Sequence, residues 1–193
     1  MNVTVKRIHG PWDDGYALDK HMLRSEVIGN NEHGHPIFDS TRTEAGESVF
    51  QLKYRSDYSQ AATLAQALNH HILPLLEEPR LIIPMPASNA RMHQPVTLVA
   101  DELGKISGLP VFHQILRKAP NGVSLKNLNT KDEKMEALKG TMTVHNEITN
   151  DGRWNAIIVD DLFHSGASME TATTTLRTYN KINRVFVVAM TWR

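Results

Sequence analysis

Two adjacent carboxylates follow a short apolar run in the last quarter of the chain. Ala156–Val159 are continuously apolar, which is typical of a strand that is buried on both faces of a sheet. Asp160 and Asp161 come directly after this run. Open α/β sheets bind ligands at the carboxyl ends of their strands. Because carboxylates accept hydrogen bonds from hydroxyl groups, the pair suits a ligand that carries a sugar.

The turn after the carboxylates is small and rich in hydroxyl groups. It consists of His164, Ser165, Gly166, Ala167 and Ser168. Its backbone N–H groups can surround an anion, and a helix that begins near Ser168 would point its N-terminus at that anion. Together with the carboxylates, the turn predicts a site for a sugar phosphate. The simpler alternative is a buried strand followed by an acidic turn that binds nothing.

Composition limits the classes of protein that need to be considered. The chain has 193 residues and no cysteine, so disulfides and thiolate zinc sites are excluded. Its 21 basic and 21 acidic side chains balance, and aromatic residues are few. Both facts weigh against nucleic acid as a direct ligand. No apolar run is long enough to cross a membrane, and we expect a cytoplasmic protein.

The last two-thirds of the chain alternate between predicted strands and helices. Predicted strands are Leu81–Ile83, Val111–Leu116, Thr141–Val144, Ala156–Val159 and Arg184–Trp192. Apolar residues at helical spacing predict helices over 58–76, from Pro95 to Gly108, and from Ser168 to Tyr179. Thr130 and Glu133 fit a capping box for a shorter helix that ends at Leu138. This alternation predicts an α/β fold, with a mainly parallel central sheet flanked by helices.

The first 57 residues are less regular. Short segments rich in β-formers, such as Val3–Ile8, are separated by polar and glycine-containing stretches. Val49–Tyr54 alternates weakly and is interpreted as a strand. We therefore predict one domain overall, in which residues 1–57 form a small N-terminal appendage and residues 58–193 form the α/β core.

The segment 156–168 resembles the motif by which type I phosphoribosyltransferases bind phosphoribosyl pyrophosphate. That motif has four apolar residues, two acids and a loop that usually ends Thr-Thr-Gly-x-Thr. Here Ser165, Gly166 and Ser168 match the loop, and His164 departs from it. The similarity extends from about Val49 to the end of the chain and implies a phosphoribosyltransferase-like fold.

Within this family, the chain resembles most the ComF-like branch, which is named for a competence protein of DNA uptake. The residues that carry the likeness are Leu52-Lys53-Tyr54, Ile82–Pro86, Arg91, Gln94 and Leu138-Lys139-Gly140. Many ComF proteins begin with a cysteine zinc finger, which this chain lacks because it has no cysteine.

The resemblance implies a role for each part of the site. Asp160 and Asp161 would hold the ribose hydroxyls, directly or through Mg²⁺ that arrives with the substrate. Residues 164–168 would hold the 5′-phosphate. Ala87 and Ser88 would bind pyrophosphate through backbone N–H groups, and Arg91 through its guanidinium group.

The polar loop 117–130 matches the mobile loop of the family, which closes over the reacting groups. Arg117, Lys118 and Lys126 would add positive charge there and exclude water. The alternative is a solvated basic loop. The resemblance likewise makes residues 1–57 a hood, the part that selects the acceptor in this family.

The function implied is transfer of a phosphoribosyl group to or from a nitrogenous base, with Mg²⁺ carried by phosphoribosyl pyrophosphate. The alternative is a non-enzymatic sensor of nucleotide or phosphoribosyl pyrophosphate, or an adaptor in DNA uptake or processing. The sequence does not identify the base. A homodimer is compatible with the resemblance.

Overall fold

A five-stranded sheet forms the centre of the molecule. The computed structural model describes residues 1–87, 92–119 and 127–193. In spatial order the strands are β1 (Lys6–Arg7), β2 (Asp14–Lys20), β9 (Ile182–Trp192), β8 (Trp154–Phe163) and β5 (Leu81–Pro84). Only β1 runs antiparallel to its neighbour, and the other pairings are parallel. The predicted α/β fold with a mainly parallel sheet is therefore confirmed.

Helices cover both faces of this sheet. They are α1 (Glu44–Tyr54), α2 (Gln60–His71), α3 (Pro95–Ser107), α4 (Lys131–Leu138) and α5 (Ala167–Leu176). Side chains alternate along β8: Ile157 and Val159 pack with α1, α2 and α3, whereas Ala156 and Ile158 pack with α4 and α5. Both faces of β8 are buried, as its continuous apolar run predicted. In the ranges that the structure describes, no helix is long and apolar enough to span a membrane.

Two small antiparallel pairs lie outside the central sheet. One is a hairpin of β3 (Met22–Asn30) and β4 (Pro36–Arg42). The other joins β6 (Leu116–Lys118) to β7 (Met142–Val144). This second pair packs with α4 and α5 and carries Lys118 to the end of β6.

Local signals in the sequence fix several helix ends. Pro95 occupies the first turn of α3, and Gly108 ends that helix with a left-handed φ of 74°. The capping box of α4 forms as predicted, with Thr130 and Glu133 each bonding to the backbone of the other. Pro74 lies in a short 3₁₀ turn, Leu73–Leu75, just after α2.

Two predicted strands are wrong. Val49–Tyr54 is the second half of α1, because Thr43 caps the helix by accepting a hydrogen bond from Gly46 N–H, while Val49 and Leu52 share its buried face. Val111–Leu116 is not a continuous strand. Val111 makes a single bridge to Ile82, and the next strand, β6, begins only at Leu116.

Residues 1–57 contribute directly to the main fold. β2 pairs with β9 inside the sheet, and α1 packs on one of its faces. Within this segment, the β3–β4 hairpin is the part that stands apart from the five-stranded sheet. Through β2 and α1, residues 1–57 therefore form part of the core. The role of this segment as a hood stays a prediction.

Helix α1 is positioned by a close backbone approach at Gly46. A Cβ atom there would lie 2.0 Å from the carbonyl oxygen of His21, whose own N–H donates to Trp192 O at the end of β9.

We therefore expect Gly46→Ala to lower the free energy of unfolding by about 1–3 kcal/mol, since this overpacking outweighs the better helix propensity of alanine. Denaturant unfolding measures the change. Glu44→Ala, at an exposed position of the same helix, serves as control and should cost under about 1 kcal/mol; an equal loss in both variants would contradict the account.

Candidate functional site

A cleft opens beyond the carboxyl ends of β5 and β8. Its volume is about 280 Å³. The residues that line it come from the ends of β5, β6 and β8, from the start of β7, from α1, and from the starts of α3 and α5. They are Lys53, Met85, Pro86, Ala87, Gln94, Pro95, Val96, Lys118, Met142, Asp160, Asp161, Leu162 and Ser168. This is the edge of the sheet at which α/β folds bind ligands.

The two carboxylates are side by side in the floor of the cleft. Strand β8 continues through them to Phe163, and Asp160 is paired in register with Ala189 of β9. Asp161 N–H donates to Asp160 Oδ1 (2.8 Å) and so orients that side chain, and Asp161 O accepts from Thr191 Oγ1 of β9 (2.9 Å). The pair is therefore rigid in its backbone, with its side chains at the cleft.

Lys53 of α1 forms an ion pair with Asp161 across the cleft. Both side chains are mostly buried, with 26% and 17% of their surfaces exposed. Burial disfavours the charged form of Lys53. The attraction of Asp161 and its hydrogen bond favour that form and outweigh the effect of burial, with smaller contributions that include Asp160. The pKa of Lys53 consequently lies above its ordinary value.

Asp160 holds its proton more tightly than an ordinary aspartate does. Burial, reinforced by the Asp161 carboxylate, raises the pKa of Asp160 to about 7 from 3.8, although Lys53 and Lys118 act in the opposite direction. Burial also lowers the pKa of Lys118, an effect that attraction to Asp160 partly offsets. Two carboxylates and two amino groups thus share one poorly hydrated space.

The predicted phosphate loop ends where helix α5 begins. Gly166 precedes the helix with a left-handed φ of 81°, and a Cβ atom there would lie 3.1 Å from the Phe163 ring. Ser168, in the first turn of α5, lines the cleft together with the carboxylates. Partial burial, together with the cations Lys134 and Arg193, lowers the pKa of His164, which favours its neutral form at pH 7.

Only some of the predicted site residues can be placed. Asp160, Asp161, Ala87, Lys118 and Ser168 line one cleft, and their roles in binding stay predictions. His164, Ser165, Gly166 and Ala167 form the turn beside it and do not line it. Ser88, Arg91 and Lys126 lie outside the described residues, and their roles stay predictions.

Sequence reasoning did not recognise Lys53 as a site residue. It was noted only as part of a Leu-Lys-Tyr resemblance, within a segment interpreted as a strand. The signal that identifies Lys53 is its helical spacing from Val49 and Leu52. Val49 and Leu52 face the core, and Lys53, on the same side of the helix, then reaches Asp161 at the edge of the sheet. Gln94, also noted only for its resemblance, lines the same cleft.

The donor set of the cleft fits a divalent ion that brings its own ligands. In the described part of the chain, no three His, Asp or Glu side chains converge as a closed metal site would require. Mg²⁺ commonly binds through one or two carboxylates, with phosphate oxygens and water completing its shell. Asp160 and Asp161 fit that arrangement.

Comparison with solved structures identifies the fold. Glutamine phosphoribosylpyrophosphate amidotransferase from B. subtilis, complexed with ADP and GMP, matches at a TM-score of 0.50 and 14% identity over 83% of this chain. The chain has the type I phosphoribosyltransferase fold. It spans 34% of the amidotransferase chain.

Two further matches have lower TM-scores. Adenine phosphoribosyltransferase from Trypanosoma brucei, in complex with AMP, pyrophosphate and ribose-5-phosphate, has a TM-score of 0.49 and 13% identity, and the match covers 91% of this chain and 70% of that one. The enzyme from Thermoanaerobacter pseudethanolicus has a TM-score of 0.42 and 16% identity, with coverages of 88% and 95%. No family model and no curated protein matches the chain. Identities this low establish the fold alone, because one fold hosts many functions.

The raised pKa of Asp160 predicts a distinct pH dependence of stability. Between about pH 4 and 7, the folded chain retains a proton that the unfolded chain has released, so wild-type stability falls as pH rises through this window. Asp160→Asn cannot lose that proton. We expect the variant to match wild type near pH 4 and to exceed it by about 1–3 kcal/mol at pH 8, as measured by urea unfolding at both pH values.

A matched control is Asp151→Asn, which removes a carboxylate on the exposed surface. The difference between this variant and wild type should stay nearly constant with pH. An Asp160→Asn variant that is less stable than wild type at pH 8 would show that the Asp160 charge stabilises the fold, contrary to the account.

Proposed function

We propose that the protein binds phosphoribosyl pyrophosphate and transfers its phosphoribosyl group to or from a nitrogenous base. The observation that carries the proposal is the Asp160–Asp161 pair at the end of the central strand, which faces Lys53 and Lys118 in one cleft. Adjacent acids and nearby cations match a ligand that presents sugar hydroxyls beside phosphate charge.

In this proposal the carboxylates bind the ribose. A ribose hydroxyl donates to a carboxylate oxygen, and such charge-assisted bonds are stronger than neutral ones. Asp161 forms an ion pair with Lys53. Ribose binding therefore requires Asp161 to exchange this partner, wholly or in part, for a hydroxyl group.

The 5′-phosphate is assigned to the turn 164–168. Gly166 lets the backbone approach an anion closely, and the first turn of α5 presents N–H groups and the Ser168 hydroxyl. A neutral His164 can donate one ring N–H to a phosphate oxygen. The turn lies directly after the carboxylates in the chain, so both can contact one ligand.

Pyrophosphate is assigned to the opposite side of the cleft. Lys118 lines it from β6, and Lys53 becomes available there when it leaves Asp161. Ala87 lies at the end of β5, where its backbone can reach a phosphate oxygen. Ser88, Arg91 and Lys126 join this group on the basis of the sequence resemblance alone. Mg²⁺ bound to pyrophosphate would neutralise part of its charge and be held by Asp160 and Asp161.

The reaction proposed breaks the bond between the anomeric carbon of ribose and pyrophosphate. Pyrophosphate leaves with the bonding electrons, and the sugar passes through an oxocarbenium-like state. A ring nitrogen of the base then forms the new bond and releases its proton to the departing pyrophosphate or to water. The residues of this chain contribute by orientation and by charge: the carboxylates fix the ribose, and the lysines stabilise the negative charge on the departing group.

The comparisons give no support to the ComF-like branch or to its non-enzymatic alternative, a sensor or adaptor in DNA uptake or processing. Transferase activity is the function that the fold and the cleft favour together. A cytoplasmic location remains a proposal of the same kind.

The first functional prediction concerns the acid pair. Asp160→Asn with Asp161→Asn keeps side-chain size and removes both carboxyl groups, and the comparison is made at pH 8, above the pKa of Asp160 of about 7. We expect affinity for phosphoribosyl pyrophosphate with Mg²⁺ to fall by about 1–3 kcal/mol, the scale of lost hydrogen bonds to charged groups. Isothermal titration calorimetry measures the loss.

Asp13→Asn with Asp14→Asn provides a matched control, since these adjacent acids lie at the opposite end of the sheet, where β2 begins. Its circular dichroism and its affinity are compared with those of wild type. Unchanged affinity in the Asp160 and Asp161 variant would remove the ribose assignment.

The second prediction distinguishes an enzyme from a sensor. Cations that stabilise a leaving pyrophosphate matter more in the transition state than in the ground state. Lys118→Met should therefore lower kcat by about tenfold or more while changing the Kd for phosphoribosyl pyrophosphate less. Pyrophosphate release, screened over purine and pyrimidine bases, gives kcat.

Lys105→Met removes an exposed lysine from α3 and should leave both quantities unchanged. Equal losses of kcat and affinity in Lys118→Met would place Lys118 in ground-state binding only. Tight binding with no pyrophosphate release from any base would favour a sensor.

A further inference from the structure

In the part of the chain that the structure describes, both outer edges of the β3–β4 hairpin are open, and the nine-residue β3 presents the longer one. Within the described residues, β3 pairs with β4 and with no other strand. Every residue of β3 after Met22 is exposed, including the large apolar side chains of Leu23 (62%), Val27 (60%) and Ile28 (65%). An isolated two-stranded hairpin is only marginally stable in water, and an open edge readily accepts another strand. This edge therefore needs an occupant.

The sequence of β3 is complementary to itself. Ser25 lies at the centre of the segment Met22–Ile28. On each side of it there is one charged residue followed by two apolar residues, and the two charged residues, Arg24 and Glu26, have opposite signs. If two copies pair antiparallel with Ser25 opposite Ser25, Arg24 of each copy faces Glu26 of the other. Leu23 then faces Val27, and Met22 faces Ile28. Opposite charges and apolar side chains in directly facing positions stabilise such pairs.

The backbone of β3 is regular where this pairing would form. Arg24–Val27 pair with β4 without interruption, and register shifts occur on either side, between Met22 and Arg24 and between Val27 and Gly29. Bulges of this kind bend a strand, and they leave Arg24–Val27 as its regular part, although pairing with β4 continues beyond both of them. The segment available for a new partner is thus short and contains the charged residues.

The charges of this segment are accessible to a partner. Arg24 lies 3.5 Å from Glu26 and 3.4 Å from Asp39 of its own chain, and each of these side chains is more than half exposed. Exposed ion pairs contribute little affinity, but they set register and exclude mismatched partners. An unrelated strand would need an acid opposite Arg24 and a base opposite Glu26, with apolar residues beside them. A second copy of β3 supplies this arrangement by symmetry.

We propose that β3 is a self-recognition strand, through which two copies of this chain associate about a twofold axis at Ser25. The interface is isologous, with antiparallel β3–β3 pairing at its centre and reciprocal apolar contacts of Leu23 with Val27 at its sides. The hairpins of two copies then form one four-stranded sheet, in which the β3 edge of each copy is paired. This association is independent of the function proposed for the cleft.

Sedimentation velocity over the micromolar range tests the association. Wild type should form a dimer in a concentration-dependent manner. Arg24→Glu places like charges opposite each other at both ends of the paired segment, and Glu26→Arg does the same with the opposite sign. Each variant alone should raise the dimer Kd by about tenfold or more.

An equimolar mixture of the two variants provides the decisive measurement. In the mixed dimer, one copy carries two acids and the other two cations, so attraction returns at both ends and dimerisation should recover. Neither variant regains its own Arg24–Glu26 pair on mixing, and recovery therefore reports contact between copies. Arg80→Glu, which reverses an exposed charge outside the hairpin, should dimerise like wild type. The proposal is overturned if wild type stays monomeric into the high micromolar range, if both reversals dimerise normally, or if the mixture shows no recovery.

Discussion

Two carboxylates at the end of a buried strand impose the main electrostatic constraint on this molecule. Asp160 and Asp161 are adjacent, are poorly hydrated and share a cleft, so at least one of them must be neutralised. The structure does so in two ways: Lys53 pairs with Asp161, and Asp160 keeps its proton up to about neutral pH. The buried carboxylates therefore lower the stability of the fold. A ligand that brings hydroxyl groups and cations to this place would compensate their negative charge.

This constraint explains why elements far apart in the sequence meet at one edge. Lys53 reaches Asp161 because α1 packs closely against the turn at His21, which Gly46 permits. Lys118 reaches the cleft because β6 pairs with β7 outside the central sheet. Both lysines therefore depend on tertiary packing. The carboxylates, the phosphate loop and the start of α5 instead follow one another along the chain.

That difference accounts for what the sequence could predict. β8, the acid pair and the start of α5 near Ser168 were predicted because strand, turn and helix are contiguous and each carries its own signal. Val49–Tyr54 was misassigned because a short apolar alternation is ambiguous, and only the Thr43 cap and the core contacts of Leu52 decide for a helix. β2 shows no local sign of joining the sheet, because its partner β9 lies at the other end of the chain. The role of Lys53 depends on the same long-range packing.

Whether the cleft binds phosphoribosyl pyrophosphate is measured by calorimetric titration of the wild-type protein with that compound in the presence of Mg²⁺. We expect saturable binding at one site per chain, with ribose 5-phosphate competing for the same site because it shares the sugar and the 5′-phosphate. We also expect weaker binding when Mg²⁺ is withheld, since pyrophosphate would then bring uncompensated charge to two acids. Absence of binding by a folded protein, or binding that ribose 5-phosphate does not compete for, would contradict the account.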